Sequence, residues 1–294
     1  MWYVGATCAD LVGYWLYDVE GGWRWMLGSA AIPCLLILIG RFELPESPRW
    51  LLRKGRVKEC EEMMIKLFGE PVAFDEEPPQ QARFRDLFNR RHFPFVLFVA
   101  AIWTCQVIPM FAIYTFGPQI VGLLGLGVGK NAALGNVVIS LFFMLGCIPP
   151  MLWLNTAGRR PLLIGSFAMM TLALAVLGLI PDMGIWLVVM AFAVYAFFSG
   201  GPGNLQWLYP NELFPTDIRA SAVGVIMSLS RIGTIVSTWA LPIFINNYGI
   251  SNTMLMGAGI SLFGLLISIA FAPETRGMSL AQTSNMTIRR QRMG

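Results

Sequence analysis

Long apolar runs separated by short polar turns, with little strict alternation of apolar and polar residues, make up most of this chain. Eight runs stand out: 2–17, 23–42, 93–121, 132–154, 161–180, 185–208, 220–245 and 252–271. A helix crosses the hydrocarbon core of a bilayer with about 20 apolar residues, so each run predicts a membrane-spanning helix, the first barely long enough. Barrel strands would instead show short segments of dyad alternation. The expected fold is therefore an all-α membrane bundle with about eight transmembrane helices. Residues 43–92 form the one long polar segment, and they predict a cytoplasmic linker.

Composition agrees with this pattern. The chain is 56% hydrophobic and only 13% charged, with a mean hydropathy of +0.62. A soluble core of this length cannot hide that much apolar surface. The placement of charge says more than its net value of +4. Of 21 Lys and Arg, 11 fall between Arg41 and Arg91, and four lie between Arg276 and Arg292. Arg159, Arg160 and Arg219 sit in short turns, whereas the alternate loops hold only Arg24 and Lys130. The positive-inside rule then places the 41–91 loop, the two arginine turns and the C-terminus in the cytoplasm. The five cysteines form no CxxC pair and read as small buried hydrophobes. One histidine, His92, and no HExxH or metal-ligand cluster argue against an enzyme, a metal or a cofactor. Nothing in the charge pattern suggests nucleic acid, and the bilayer is the implied partner.

The stretch Gly200–Arg219 joins an apolar run to a charged turn and holds Pro202, Pro210 and Pro215 with glycines at 200, 201 and 203. Freed backbone groups in hydrocarbon are tolerated where neighbouring helices or a wet cavity satisfy them. A broken, cavity-lining helix is expected there. Arg231 lies 12 residues beyond Arg219, about 18 Å along a helix, too deep to snorkel easily. Such an arginine either has a substrate or coupling role toward an anionic group, or is half of a structural pair with a carboxylate such as Asp10 or one in a region missing from this chain. Asp10, inside the first run, either needs a partner or lies close enough to the outer face to meet water. Gln106 and Tyr114, eight apart, share a helix face. They read equally as a ligand-facing stripe or as interhelical hydrogen-bonding groups. Arg159 or Arg160 can pair with Glu212 in the next cytoplasmic turn, and with Arg219 this set forms a candidate inner gate.

Four short motifs carry a resemblance. PESPRW at 45–50, AGRRP at 157–161, GPGNLQW followed by ELFPTDIR at 201–219, and PETRG at 273–277 appear in order at spacings that match the hydropathy pattern. The chain resembles the sugar-porter-like metabolite transporters of bacteria in the major facilitator superfamily. That resemblance numbers its spans five to twelve, so a chain lacking the first four helices is expected. It implies two bundles, residues 1–42 being part of the first and 93–272 the second, with 273–294 a cytoplasmic tail. It also implies a small-molecule substrate held between the bundles, moved by alternating access and driven by an ion gradient, most simply protons. The inferred substrate residues are Arg231, Gln106, Tyr114, Asn204, Gln206 and Trp207. Asn155 and Thr156 stand where the family has Asp-Arg, and Asn204 and Gln206 replace two prolines of sugar porters. Together with Arg231 these departures favour an organic acid, with a sugar or polyol porter, an inactive truncated transporter or a membrane sensor as alternatives. A monomer in the bacterial inner membrane is expected.

Overall fold

The computed structural model describes residues 2–42, 46, 51, 55–68, 87–123, 129–180 and 184–277. Helices dominate, and no strand occurs among the described residues. The helices are α1 Trp2–Trp15, α2 Gly22–Ser29, α3 Ala31–Arg41, α4 Val57–Phe68, α5 Phe93–Leu123, α6 Lys130–Gly146, α7 Ile148–Ala157, α8 Arg159–Leu179, α9 Ile185–Leu213 and α10 Thr216–Phe271. Six stretches among them are long and apolar enough to cross a membrane. The last is too long for one crossing. Gly249, at φ 78° and ψ 170°, breaks α10 into two limbs, a left-handed conformation that glycine adopts without a Cβ penalty. With α2–α3 and α6–α7 each forming one span, all eight apolar runs are helical.

Two compact units are present: Met1–Val19 with Arg83–Gly294, and Glu20–Ala82. In the first unit α10 packs on α5 and α8, α9 packs on α8, α6 and α5, and α1 lies along α6. Its core is aromatic: Trp103, Phe143, Phe167, Phe192, Tyr195, Tyr209 and Phe214 are all fully buried. Outward-facing Trp186, Met151, Leu152, Ile235 and Trp239 are largely exposed. In water this would be an aggregation surface, whereas lipid tails solvate it.

The second unit holds the span 22–41, whose α3 buries no residue. It also holds α4, where Cys60 and Met64 pack with Leu51 and Arg56 bridges Glu59 at 2.7 Å. The PESPRW motif apart from Glu46, residues 69–86 and the tail 278–294 lie outside the described residues.

The glycine-rich stretch differs from expectation. α9 runs unbroken through Pro202 and Pro210 to Leu213. Its glycines are points of close approach. A Cβ on Gly200 would lie 2.7 Å from the Cys147 nitrogen, and one on Gly203 would lie 2.6 Å from the Tyr3 hydroxyl. Gly201 faces Ser166 in the same way. Small residues let backbones touch in a membrane, so this segment seats α9 against α6, α8 and α1 at once.

Candidate functional site

Two polar regions hold sequence-derived candidates. The first surrounds Gln106, which is fully buried on α5. Its amide nitrogen lies 3.1 Å from the Ser199 hydroxyl of α9, 3.4 Å from the Tyr3 hydroxyl of α1 and 3.2 Å from Met110 Sδ. Beside it Phe143 of α6 is ringed by three tyrosines. Tyr3 stacks on it at 5.8 Å, Tyr114 stacks at 5.0 Å and Tyr195 meets it edge-on at 6.0 Å. Among the described residues, Gln106 Oε1 and the hydroxyls of Tyr114 and Tyr195 are buried without a hydrogen-bond partner. A buried polar atom left unpaired costs about 1–3 kcal/mol. Three of them around the crossing of α1, α5, α6 and α9 mark a place suited to water or a polar solute.

The remaining substrate candidates have different partners. The Asn204 amide donates to the Cys147 carbonyl at 2.9 Å, bridging α9 to the α6–α7 junction. Gln206 is buried, and its Oε1 has no partner among the described residues. Trp207 is half exposed and rests edge-on against Trp103 of α5 at 4.9 Å. Arg231 is exposed, with its guanidinium 5.4 Å from the centre of the Phe111 ring. Trp103 and Phe111 are eight residues apart on α5, about 12 Å along that helix. The ion pairs among the described residues are Arg56–Glu59, Lys130–Asp18 and Arg159–Glu212. Arg231 is in none of them. Asp10 instead meets Asn136 at 3.1 Å and the Ser140 hydroxyl, both on α6.

The second region is a charge lattice where α7, α8, α9 and the end of α10 converge. Gly158, at φ 90°, makes the turn between α7 and α8; a Cβ there would also meet Glu274 at 2.6 Å. The Glu274 carboxylate accepts the backbone N–H groups of Arg159 and Arg160 at 3.0 and 3.1 Å. This places an anion on the N-terminus of α8, where unsatisfied N–H groups and the helix dipole favour it. Arg159 Nη2 donates to Glu212 at 2.8 Å, and the other Glu212 oxygen accepts from the Thr275 hydroxyl at 2.5 Å. Arg160 reaches the Ile269 carbonyl at 3.0 Å, and Arg219 the Phe214 carbonyl at 3.2 Å. Both cap carbonyls at helix ends. Glu274 and Thr275 were not among the sequence-derived gate residues, although the PETRG motif pointed at them.

A helical membrane bundle with uncharged polar groups sealed inside and a charge lattice across its helix ends is built like a solute carrier of the major facilitator kind. The chain belongs to the family described as Sugar (and other) transporter, which matches residues 1–287. It is 99% identical over 294 residues to YaaU of Escherichia coli K12, covering 100% of this chain and 66% of that protein. It is 32% identical over 289 residues to the inner membrane metabolite transport protein YgcS of the same organism, covering 97% and 64%. A third relative is the glucose transporter GlcP of Staphylococcus epidermidis, 30% identical over 297 residues and covering 95% and 65%. This chain therefore spans slightly less than two-thirds of the length of these relatives. Among solved structures, the proton:xylose symporter XylE bound to 6-bromo-6-deoxy-D-glucose superposes with a TM-score of 0.74 at 23% identity, over 96% of this chain and 64% of that one. The inward-open form of the E. coli transporter gives 0.67 at 20% identity, over 97% and 63%. At these identities the likeness concerns the fold.

Proposed function

We propose that this chain is part of a secondary active transporter that moves a small polar metabolite across the bacterial inner membrane by alternating access, coupled to protons. The observation that carries the reading is the enclosed cluster of Gln106, Tyr3, Tyr114, Tyr195 and Ser199. Its unpaired oxygens are groups that a polar guest or water can satisfy. Residues 1–42 belong to one bundle and 93–272 to the other, joined by a cytoplasmic linker at 43–92. The lattice of Arg159, Arg160, Glu212, Arg219 and Glu274 is the inner gate. It holds the ends of α8, α9 and α10 together and loosens when the inner side opens. The C-terminus is cytoplasmic by the distribution of basic residues, and the transporter acts as a monomer.

An organic acid is the favoured substrate class. Arg231 is paired with no carboxylate among the described residues, and its charge rests on an aromatic face, a weak tie that an anionic ligand can displace. A sugar or polyol is the second reading, favoured by the uncharged Gln106–Ser199 pair and by the glucose carrier among the relatives. The test is uptake of labelled mono- and dicarboxylates by cells expressing the chain extended at its amino terminus to the length of its relatives. Uptake abolished by a proton uncoupler supports the coupling; insensitivity rejects it. Arg231→Ala abolishes acid uptake while the protein still reaches the membrane. Unchanged uptake refutes the role given to Arg231.

A further inference from the structure

The contact of α1 with α6 is held by polar groups along its whole length. At one end Asp18 pairs with Lys130, which also lies 5.4 Å from the centre of the Tyr14 ring. In the middle the Thr7 hydroxyl is shared between the Tyr3 carbonyl of its own helix at 2.9 Å and the Ser140 carbonyl of α6 at 3.1 Å. Beside it the Asp10 carboxylate accepts from Asn136 Nδ2 at 3.1 Å and from the Ser140 hydroxyl. Asn136 and Ser140 are four residues apart, so they present both donors from one face of α6, and both are buried. Asp10 is half buried, five residues or about 7.5 Å inside the end of α1 at Trp15.

The groups facing Asp10 are neutral. α5 contains no Lys or Arg, and from it Tyr114 is the titratable group within electrostatic reach. On α1 itself the neighbouring titratable groups are Cys8 and Tyr14. On α6 the cation is Lys130, already committed to Asp18. Asp10 is thus a carboxylate in a membrane helix with hydrogen-bond donors and no counter-ion among the described residues. Its oxygens are also too few for a metal cation, which needs a fuller shell of oxygen ligands than one carboxylate provides. The chemistry that fits is a proton.

We propose that Asp10 is a proton-binding site that latches α1 to α6. Ionised, Asp10 takes charge-assisted hydrogen bonds from Asn136 and Ser140, and the two helices are closed. When a proton from the aqueous side bonds to one carboxylate oxygen, the charge disappears and the bonds weaken to ordinary neutral ones. The helices then part. The Asp18–Lys130 pair is exposed on both partners and too screened to keep the helices together alone. This assignment rests on the proton-coupled reading above and names the group that receives the proton.

The test uses the extended chain in proteoliposomes, with native cysteines replaced by serine and spin labels at Val19→Cys and Asn131→Cys. The distance between labels lengthens between pH 8 and pH 5. Asp10→Asn abolishes the pH dependence and fixes the long distance, while Asp10→Glu restores a titration. A pH-dependent shift that survives in Asp10→Asn overturns the proposal, as does a parent protein that shows no shift. A shift that follows sodium against choline at fixed pH replaces the proton with a metal cation and also overturns it. Uptake separates this failure from failure of the functional reading. If the parent is insensitive to uncoupler, proton coupling itself fails. If the parent is sensitive and Asp10→Asn still accumulates solute against a gradient, Asp10 is not the coupling group.

Discussion

Replacing Glu212 by Gln isolates the charge in the lattice while keeping its shape. Glu212 accepts Arg159 on one oxygen and Thr275 on the other, and Gln retains one carbonyl acceptor but no charge. Arg159 is then left as a buried cation with its Nε already unpartnered among the described residues. Removing one partner of a buried pair costs about 3–5 kcal/mol. The Arg159 and Glu212 side chains are 11% and 14% exposed, so residual water screens the orphaned charge and brings the expected loss to roughly 2–3 kcal/mol. Unfolding entropy grows with chain length, and in an extended chain about half as long again as this one 1 kcal/mol shifts the midpoint by about 1 °C, so the extended protein in detergent melts roughly 2–3 °C lower by thermal shift. Arg159→Leu combined with Glu212→Leu removes both charges, so the double variant is more stable than the sum of the single losses implies. A drop below about 1 °C for Glu212→Gln, or strict additivity in the cycle, refutes the view that this pair ties α8 to α9.

Sequence showed which segments are helical because the requirement is crude: a long uninterrupted apolar run has few places to go other than through a bilayer. It showed contacts poorly, because those depend on partners far away in the chain. The pair Gln106 and Tyr114 was readable as one face of a helix. That Gln106 would meet Ser199, 93 residues on, and Tyr114 the Phe143 ring was not. The Gly200–Gly203 stretch suggested a break, since glycine and proline weaken helices in isolation. Its other use, close contact with the Gly146 backbone and the Ser166 side chain, is visible only when α9 lies on α6 and α8. Asp10 looked in need of a partner, and Arg231 attracted attention because charge seeks charge. The i, i+4 spacing of Asn136 and Ser140 was an available signal for a neutral donor pair. Glu274 stood in a recognised motif, yet its seat on the N-terminus of α8, 115 residues away, required the folded chain.

Two further perturbations separate contacts that matter from contacts that are merely present. Lys130→Ala leaves the melting temperature unchanged within error, because the Asp18–Lys130 pair is solvent-exposed on both sides; a loss as large as that of Glu212→Gln contradicts this. Gly200→Ala behaves differently, and its control is Gly165→Ala, where an added Cβ meets nothing within 4 Å. At Gly200 the new methyl would lie 2.7 Å from the Cys147 nitrogen and closer still to the Gly146 carbonyl. Those atoms are backbone, so no rotamer change relieves the clash and α9 must move off α6. Overpacking of this kind costs about 1–3 kcal/mol, or roughly 1–3 °C in the melting temperature of the extended chain. Gly165→Ala is neutral or slightly stabilising, since alanine favours the helix by up to about 1 kcal/mol over glycine. Because α9 also supplies Ser199 to Gln106, the same displacement spoils the polar cluster, and Gly200→Ala loses uptake even in the fraction that reaches the membrane folded. If both alanine variants melt and transport alike, the glycines do not set the seat of α9, and the cluster at Gln106 is positioned by something else.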